Sequence, residues 1–138
     1  MTETVSGPLP ELVEPFRFFW TAGREGELRF QRCADCDHWL HPPGVICPEC
    51  ASENLVEQAV SGLGTGVAAS INYQPWMPGL EVPYALAIVE LDDQRGMRLT
   101  TRVVGIPPEQ VQIGQRVQVQ FEQREDVGLP LFTPVVQK

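Results

Sequence analysis

From Tyr84 to Asp92 the chain reads YALAIVELD, and from Met97 to Gly105 it reads MRLTTRVVG. Both runs have the length and the β-branched content of strands, and DDQRG between them, ending on Gly96, predicts a hairpin. Farther on, IGQRVQVQFEQRE alternates Val117, Val119 and Phe121 with Gln118, Gln120 and Glu122, which is the period of a strand with one buried face. GVAASINYQ predicts the first long strand of the same body and LFTPVV the last, while LVEQAV leads into SGLGTG, whose glycines permit a sharp bend. QPWMPGLEVP holds three prolines with Gly79, Trp76 and Met77. It predicts a loop with apolar side chains, either folded down as a lid or held out for a ligand or partner. Five strands with this spacing predict a mainly β body over residues 55–138 and fit a small closed barrel of the OB type; a generic small barrel or sandwich fits the same pattern.

Toward the N-terminus the period changes. In EPFRFFWTAGREGEL, Phe16, Phe19, Trp20 and Gly23 recur at spacings of three and four, which predicts a short helix with its aromatics on one stripe. Pro15 suits the first turn and Gly26 the end. The stripe either packs on the chain's own body or docks into a partner, since a helix this brief has little stability alone. Residues 1–14 are acidic with Pro8 and Pro10, and predict a flexible arm. After the helix, Leu28 and Phe30 alternate with polar residues in a strand, and Trp39 and Leu40, followed by His41, Pro42, Pro43 and Gly44, predict a return strand and a turn. Residues 15–54 therefore form a helix and a ribbon.

The ribbon carries the chemistry. Cys33, Cys36, Cys47 and Cys50 are all the cysteines of the chain, arranged as two CxxC pairs separated by ten residues. Each pair sends two thiolates out of one tight turn, and two facing turns present four sulfurs near tetrahedral positions, the arrangement structural zinc takes. Iron in a rubredoxin-like site uses the same ligands, with zinc the commoner occupant. A disulfide framework suits a secreted chain, but MTETVSGPLPELVEP lacks a basic segment and an apolar core of signal-peptide type. A redox CxxC belongs at a helix start within a βαβ pattern, which does not surround either pair. Knuckle turns often place a glycine directly after the second cysteine because φ there tends to be positive; here Asp37 and Ala51 hold those positions, and Asp tolerates that conformation better than Ala. His38 and His41 lie near enough to be weighed as ligands, yet four cysteines complete the site, so both are expected at the surface or at a partner contact.

Composition narrows the function. A net charge of −8, with one lysine in the chain, opposes the counterion release that drives nucleic-acid binding, and the basic groove of a single-strand-binding barrel is absent from the sequence. No apolar run has the length of a bilayer span, and basic residues are too few for an anionic membrane surface. A cytoplasmic protein is expected. At 138 residues and 43% hydrophobic the chain can bury a real core, to which the metal module is expected to be an appendix. Thirteen prolines and twelve glycines favour short strands joined by turns. A glycine-rich phosphate loop and a coherent Ser/His/Asp set are both missing, so catalytic residues are not expected in this chain.

The order of landmarks is more telling than any one of them. FFWTAGREGELRFQRC, then HPPGVICPEC, SGLGTGVAAS, VPYALAIVELD, IGQRVQVQF and LFTPV, spread from Pro15 to Val135, resemble the zinc-ribbon and OB-fold acyl-CoA-associated family known as domain of unknown function thirty-five. The resemblance implies an accessory subunit of a thiolase-like, lipid-transfer-protein-like enzyme acting on acyl-CoA thioesters, such as a steroid side-chain aldolase, an acyltransferase or an enoyl-CoA hydratase complex. It implies a hetero-oligomer in which the partner supplies the catalytic groups. The Phe16, Phe19 and Trp20 stripe, with Trp39, Trp76 and Met77, is then the candidate partner interface. A free-standing acyl-CoA-binding module is the alternative, with Arg17, Arg24, Arg29 and Arg32 as candidate contacts to the CoA phosphates. Glu25, Glu27, Asp35 and Asp37 interleave with those arginines, which favours solvated surface charge as their ordinary role.

Overall fold

Leu28 and Phe30 lie on one side of their strand and are both withdrawn from solvent, and the ribbon sheet is built on that alternation. In the computed structural model, which describes residues 9–76 and 78–135, the strand is β1 (Arg29–Cys33), the middle of three antiparallel strands. β2 (Trp39–Leu40) pairs on one side with Trp39 opposite Arg32, and β3 (Leu55–Ala59) on the other with Ala59 opposite Arg29. The sequence reading starts the barrel at residue 55. Hydrogen bonding starts it at Leu63, because the open edge of β1 takes up Leu55–Ala59 first.

Two glutamine carboxamides continue this sheet where backbone partners run out. Gln31 donates from Nε2 to the Gly44 carbonyl (3.0 Å) and accepts at Oε1 from the Gly44 N–H (2.8 Å). Gln94, from the barrel, donates to the Trp39 carbonyl (3.0 Å) and accepts from the Trp39 N–H (2.8 Å). A primary amide carries a donor and an acceptor side by side, so each glutamine stands in for a residue of a neighbouring strand. The Gln94 pair ties the outer edge of β2 directly to the barrel.

The barrel consists of β4 (Leu63–Asn72), β5 (Tyr84–Leu91), β6 (Arg98–Val103), β7 (Arg116–Arg124) and β8 (Val127–Pro134), closed in the order β4-β5-β6-β8-β7. β6 and β8 run parallel, in register at Val103 and Phe132, with the Thr101 hydroxyl donating to the Pro130 carbonyl (3.0 Å), whereas the other neighbours are antiparallel. This is an OB-type barrel, as the sequence predicts. Two details differ. SGLGTG is not a bend throughout: Gly62 (φ 80°) turns the chain, but Gly64 and Gly66 lie inside β4. A Cβ on Gly64 would sit 2.6 Å from the Glu90 carbonyl oxygen, so the glycine there serves close approach of β5 rather than turning. The last strand also begins earlier than LFTPVV, at Val127, straight after a tight turn with Glu125 at φ 54°. Val136, Met77 and the first eight residues of the expected arm lie outside the described residues.

α1 (Arg17–Thr21) runs on as a 3-10 turn over Ala22–Glu25 and stops at Gly26 (φ 77°), the predicted end. Five helical residues hold little stability of their own, so packing must keep them. Phe19 enters the core beside Phe30, edge-on to Trp20 at 4.8 Å, and the backbones of Gly23 and Gly128 touch. The sequence reading treats the ribbon as an appendix to the barrel core. Instead Leu28, Phe30 and Trp39 of the ribbon, Phe19 of the helix and Val89, Leu91, Leu99, Val117 and Phe132 of the barrel form one continuous cluster. Short alternating strands cannot bury their apolar faces alone, and here the ribbon uses the barrel as its second layer. Among the described residues no helix is long and apolar enough to cross a membrane.

Candidate metal centre

Between β1 and β3 the chain makes the same turn twice, fourteen residues apart. The Cys33 N–H donates to the His38 carbonyl and the Cys47 N–H to the Ser52 carbonyl, both at 2.8 Å. The Asp37 N–H reaches back to the Cys33 carbonyl and the Ala51 N–H to the Cys47 carbonyl, both at 2.9 Å. Asp37 (φ 67°) and Ala51 (φ 61°) adopt the left-handed conformation expected directly after each pair, without a glycine at either place. The doubt that Ala raises is therefore met by geometry: both knuckles are formed. Asp35 links them, accepting from the Ser52 hydroxyl and from the Asn54 carboxamide (3.0 Å). These bonds hold the Asp35 carboxyl below its ordinary range.

All four Sγ atoms lie within 4.8 Å of one another, with Cys33 to Cys50 and Cys36 to Cys47 each at 3.6 Å. Sulfurs held tetrahedrally at about 2.3 Å from one ion stand about 3.8 Å apart, so the thiols are already close to their bound spacing. Burial would raise the Cys33 thiol, but the Cys36 and Asp35 N–H groups and the neighbouring sulfurs bring it down to about 7. At Cys36 the His38 N–H favours the thiolate, yet burial and the other three thiols push it up to about 12. Four crowded sulfurs thus cannot all ionise by themselves, and a divalent cation is what completes the set. The four cysteines form a structural zinc site: they fill a tetrahedral shell and leave no position open for substrate or activated water.

The two histidines border one cleft, with Pro48, Gln94 and Arg95. His41 is half-buried: it borders an open concavity, and its imidazole stacks on Phe30 (4.5 Å, 19°) and lies 5.0 Å from Phe19. Its Nδ1 is buried without a hydrogen-bond partner, and burial lowers its pKa to about 4. Arg98, the charged group in the same concavity, adds no acid to favour protonation. Folding therefore excludes a proton that the unfolded chain takes up near pH 6.5, and stability falls as pH drops from there toward 4. By pH 5 the loss should reach about 2 kcal/mol. Denaturant midpoints from pH 7 to 5 in zinc-containing buffer should fall in the wild type and stay flatter in His41→Phe; parallel profiles would contradict this role.

Of the candidate interface residues, Phe19 (3% exposed) and Trp39 (7%) lie in the chain's own core. Phe16 and Trp20 line an open concavity, and Trp76 is 75% exposed, its indole N–H fixed to Asn72 Oδ1 at 2.8 Å. The four arginines do not converge. Arg17 pairs with Glu14 (3.2 Å), and Arg32 donates to the Asp37 carbonyl (3.1 Å) and lies over Trp39. Arg24 and Arg29 share a concavity with Glu25 and Glu57, and Arg29 is paired to Glu27 at 2.6 Å. One surface escaped the sequence reading altogether. Tyr84, Leu86 and Ile88 stand on the outer face of β5, opposite buried Ala85, Ala87 and Val89. The unbroken apolar run YALAIV, where β7 alternates, was its signal.

Comparison with known proteins agrees with this architecture. Two family profiles match in tandem, ChsH2, rubredoxin-like zinc ribbon domain over residues 20–56 and ChsH2, C-terminal OB-fold domain over residues 57–122. A probable enoyl-CoA hydratase alpha subunit of Thermomonospora curvata is 35% identical over 130 residues; these are 94% of this chain, which spans only 40% of that subunit's length. A DUF35 domain-containing scaffold protein of Methanothermobacter thermautotrophicus is 31% identical over 103 residues, 73% of this chain and 76% of the relative. Among solved structures, a chain of an Ltp2-ChsH2(DUF35) aldolase superposes with a TM-score of 0.84 at 34% identity, covering 93% of this chain and 100% of the other.

Proposed function

This chain belongs to the DUF35 family of zinc-ribbon and OB-fold proteins, and from that premise we propose that it is a non-catalytic accessory subunit of a thiolase-like acyl-CoA enzyme. The observation that carries this reading is the end-to-end likeness to a chain of an aldolase assembly, which matches helix, ribbon and barrel together. The reaction proposed for the complex is retro-aldol cleavage of a β-hydroxyacyl-CoA from a steroid side chain or a related lipid. A base on the partner removes the β-hydroxyl proton, the Cα–Cβ bond breaks, and the electron pair passes into an enolate that an oxyanion site stabilises. This chain orders the partner's active site and walls the thioester channel. Zinc held by Cys33, Cys36, Cys47 and Cys50 supplies mechanical support to the ribbon. A site of four reduced thiolates supports a cytoplasmic location.

A hydratase complex is the second reading, supported by the 35% identity to a hydratase alpha subunit. One experiment separates the two. The chain is co-expressed with a thiolase-like candidate partner, the complex is isolated by size exclusion, and both β-hydroxyacyl-CoA cleavage and enoyl-CoA hydration are assayed. A single co-eluting peak with cleavage activity dependent on this chain is expected. Hydration without cleavage would favour the second reading, and two peaks that never merge, with partner activity unchanged, would overturn the first.

A further inference from the structure

Outward-facing positions on a barrel strand that meets water are polar, as Gln118, Gln120 and Glu122 are on β7. β5 breaks that rule. Its inner row, Ala85, Ala87, Val89 and Leu91, is buried, yet its outer row still reads Tyr84, Leu86, Ile88 before reaching Glu90, and Leu86 is 42% exposed. On β4 the residues flanking this row are small, Ala68 beside Ile88 and Ser70 beside Leu86, while on β6 Thr100 pairs with Ile88 and Arg102 with Leu86. The result is a trough. A concavity of 390 Å³ between Phe16, Trp20, Pro42 and Leu99 continues into one of 200 Å³ between Trp20, Leu99 and Leu131. That one in turn shares Leu86 and Thr100 with a third, against Ala69 and Ile88.

We infer that this trough, formed by the outer face of β4, β5 and β6 with α1 along its side, is where the enzyme subunit docks, and that the subunit fills it with an apolar segment flanked by carboxylates. The inference rests on the accessory-subunit reading. Charge chooses the occupant. The chain holds 18 acidic and 10 basic residues, yet the charged side chains lining the three concavities are Arg98, which shares an exposed ion pair with Glu90 at the end of the row (3.4 Å), and Arg102, which lies over the Tyr84 ring (3.8 Å). A second copy meeting this face across a two-fold axis would set these arginines against their own copies, which disfavours self-association here. A small acyl ligand needs a site that covers most of its surface, and a strip with Leu86 and Thr100 open to solvent does not enclose one. An apolar segment edged with acid satisfies both the floor and the rim.

Hydrogen exchange of the isolated chain and of its complex with the co-expressed thiolase-like protein tests this. Slowed exchange over residues 84–90 and 98–102 in the complex is expected. Leu86→Glu should weaken the complex by at least about thirtyfold, as loss of a buried anchor does. Arg98→Glu should weaken it about fivefold and reduce its sensitivity to salt. Ile113→Glu, at a position 70% exposed and outside the trough, should leave affinity within about twofold. If the complex forms but protection falls elsewhere and Leu86→Glu binds as well as Ile113→Glu, the docking site is wrong and the accessory role survives. No complex with the wild type overturns both. Protection of the trough by palmitoyl-CoA alone, or dimerisation of the isolated chain that Leu86→Glu abolishes, would reassign the surface.

Discussion

Removal of the zinc should unfold far more than the ribbon. Structural zinc contributes about 10–16 kcal/mol of apparent binding energy in zinc-finger peptides at neutral pH, while a whole domain retains about 5–15 kcal/mol of net stability. Here the metal loop is covalently continuous with β1 and β2, whose Phe30 and Trp39 belong to the same apolar cluster as Val89 and Phe132. Loss of the ion therefore withdraws one wall of the barrel's own core. One zinc per chain is expected by elemental analysis, and a strong chelator, or Cys47→Ser, should abolish the near-ultraviolet signal of the buried aromatics and the ability to join the enzyme subunit. On the proposed accessory role, enzyme activity should decline only through loss of the complex. A metal-free chain with its fold and its complex both intact would refute the structural role.

Gly128→Ala should be severely damaging to the barrel. The new Cβ would lie 2.5 Å from the Gly23 carbonyl carbon, 2.7 Å from its Cα and 2.8 Å from the Arg24 nitrogen, all of them backbone atoms that cannot rotate aside. The helix segment must lift, withdrawing Phe19 from the core, and the expected cost is about 3 kcal/mol or more. Gly23→Ala meets the Gly128 oxygen at 2.7 Å and should cost nearly as much. Because one contact is damaged in either case, the double variant should cost clearly less than the sum. Gly26→Ala provides the contrast: nothing lies within 4 Å of its Cβ, and only the left-handed φ of 77° is penalised, at about 1 kcal/mol. Denaturant midpoints rank the four proteins, and a Gly128→Ala chain no less stable than Gly26→Ala would show that the glycine contact is dispensable.

The metal site was the most legible part of the sequence, because ligand spacing encodes it locally. Gly26 likewise marked the helix end, and β7 announced its buried face through Val117, Val119 and Phe121. What could not be read depends on partners distant in the chain. LVEQA is almost wholly exposed and was recognisable as a strand only through its backbone pairing with β1. His41 sits in a sequence that signals a turn, and its partial burial follows from Phe19 and Phe30 packing against it. Gly64 read as part of a bend and nothing marked Gly128, yet both serve close approach, a property of two segments at once. The outer face of β5 was visible in YALAIVEL, but only once alternation was known to be the rule for this barrel.

The Gln94 carboxamide has a consequence for solubility. A barrel closed on itself has no edges to extend, so the ribbon sheet is where this protein could add foreign strands. Gln94 occupies the Trp39 peptide on the outer side of β2, leaving β3 as the open border of that sheet. A sheet extensible at one border can pair with a copy of itself but cannot propagate, since each addition consumes the border that accepted it. Even when crowded, the folded chain should stop at dimers through this route, and fibre growth would first require the hairpin tip to release β2.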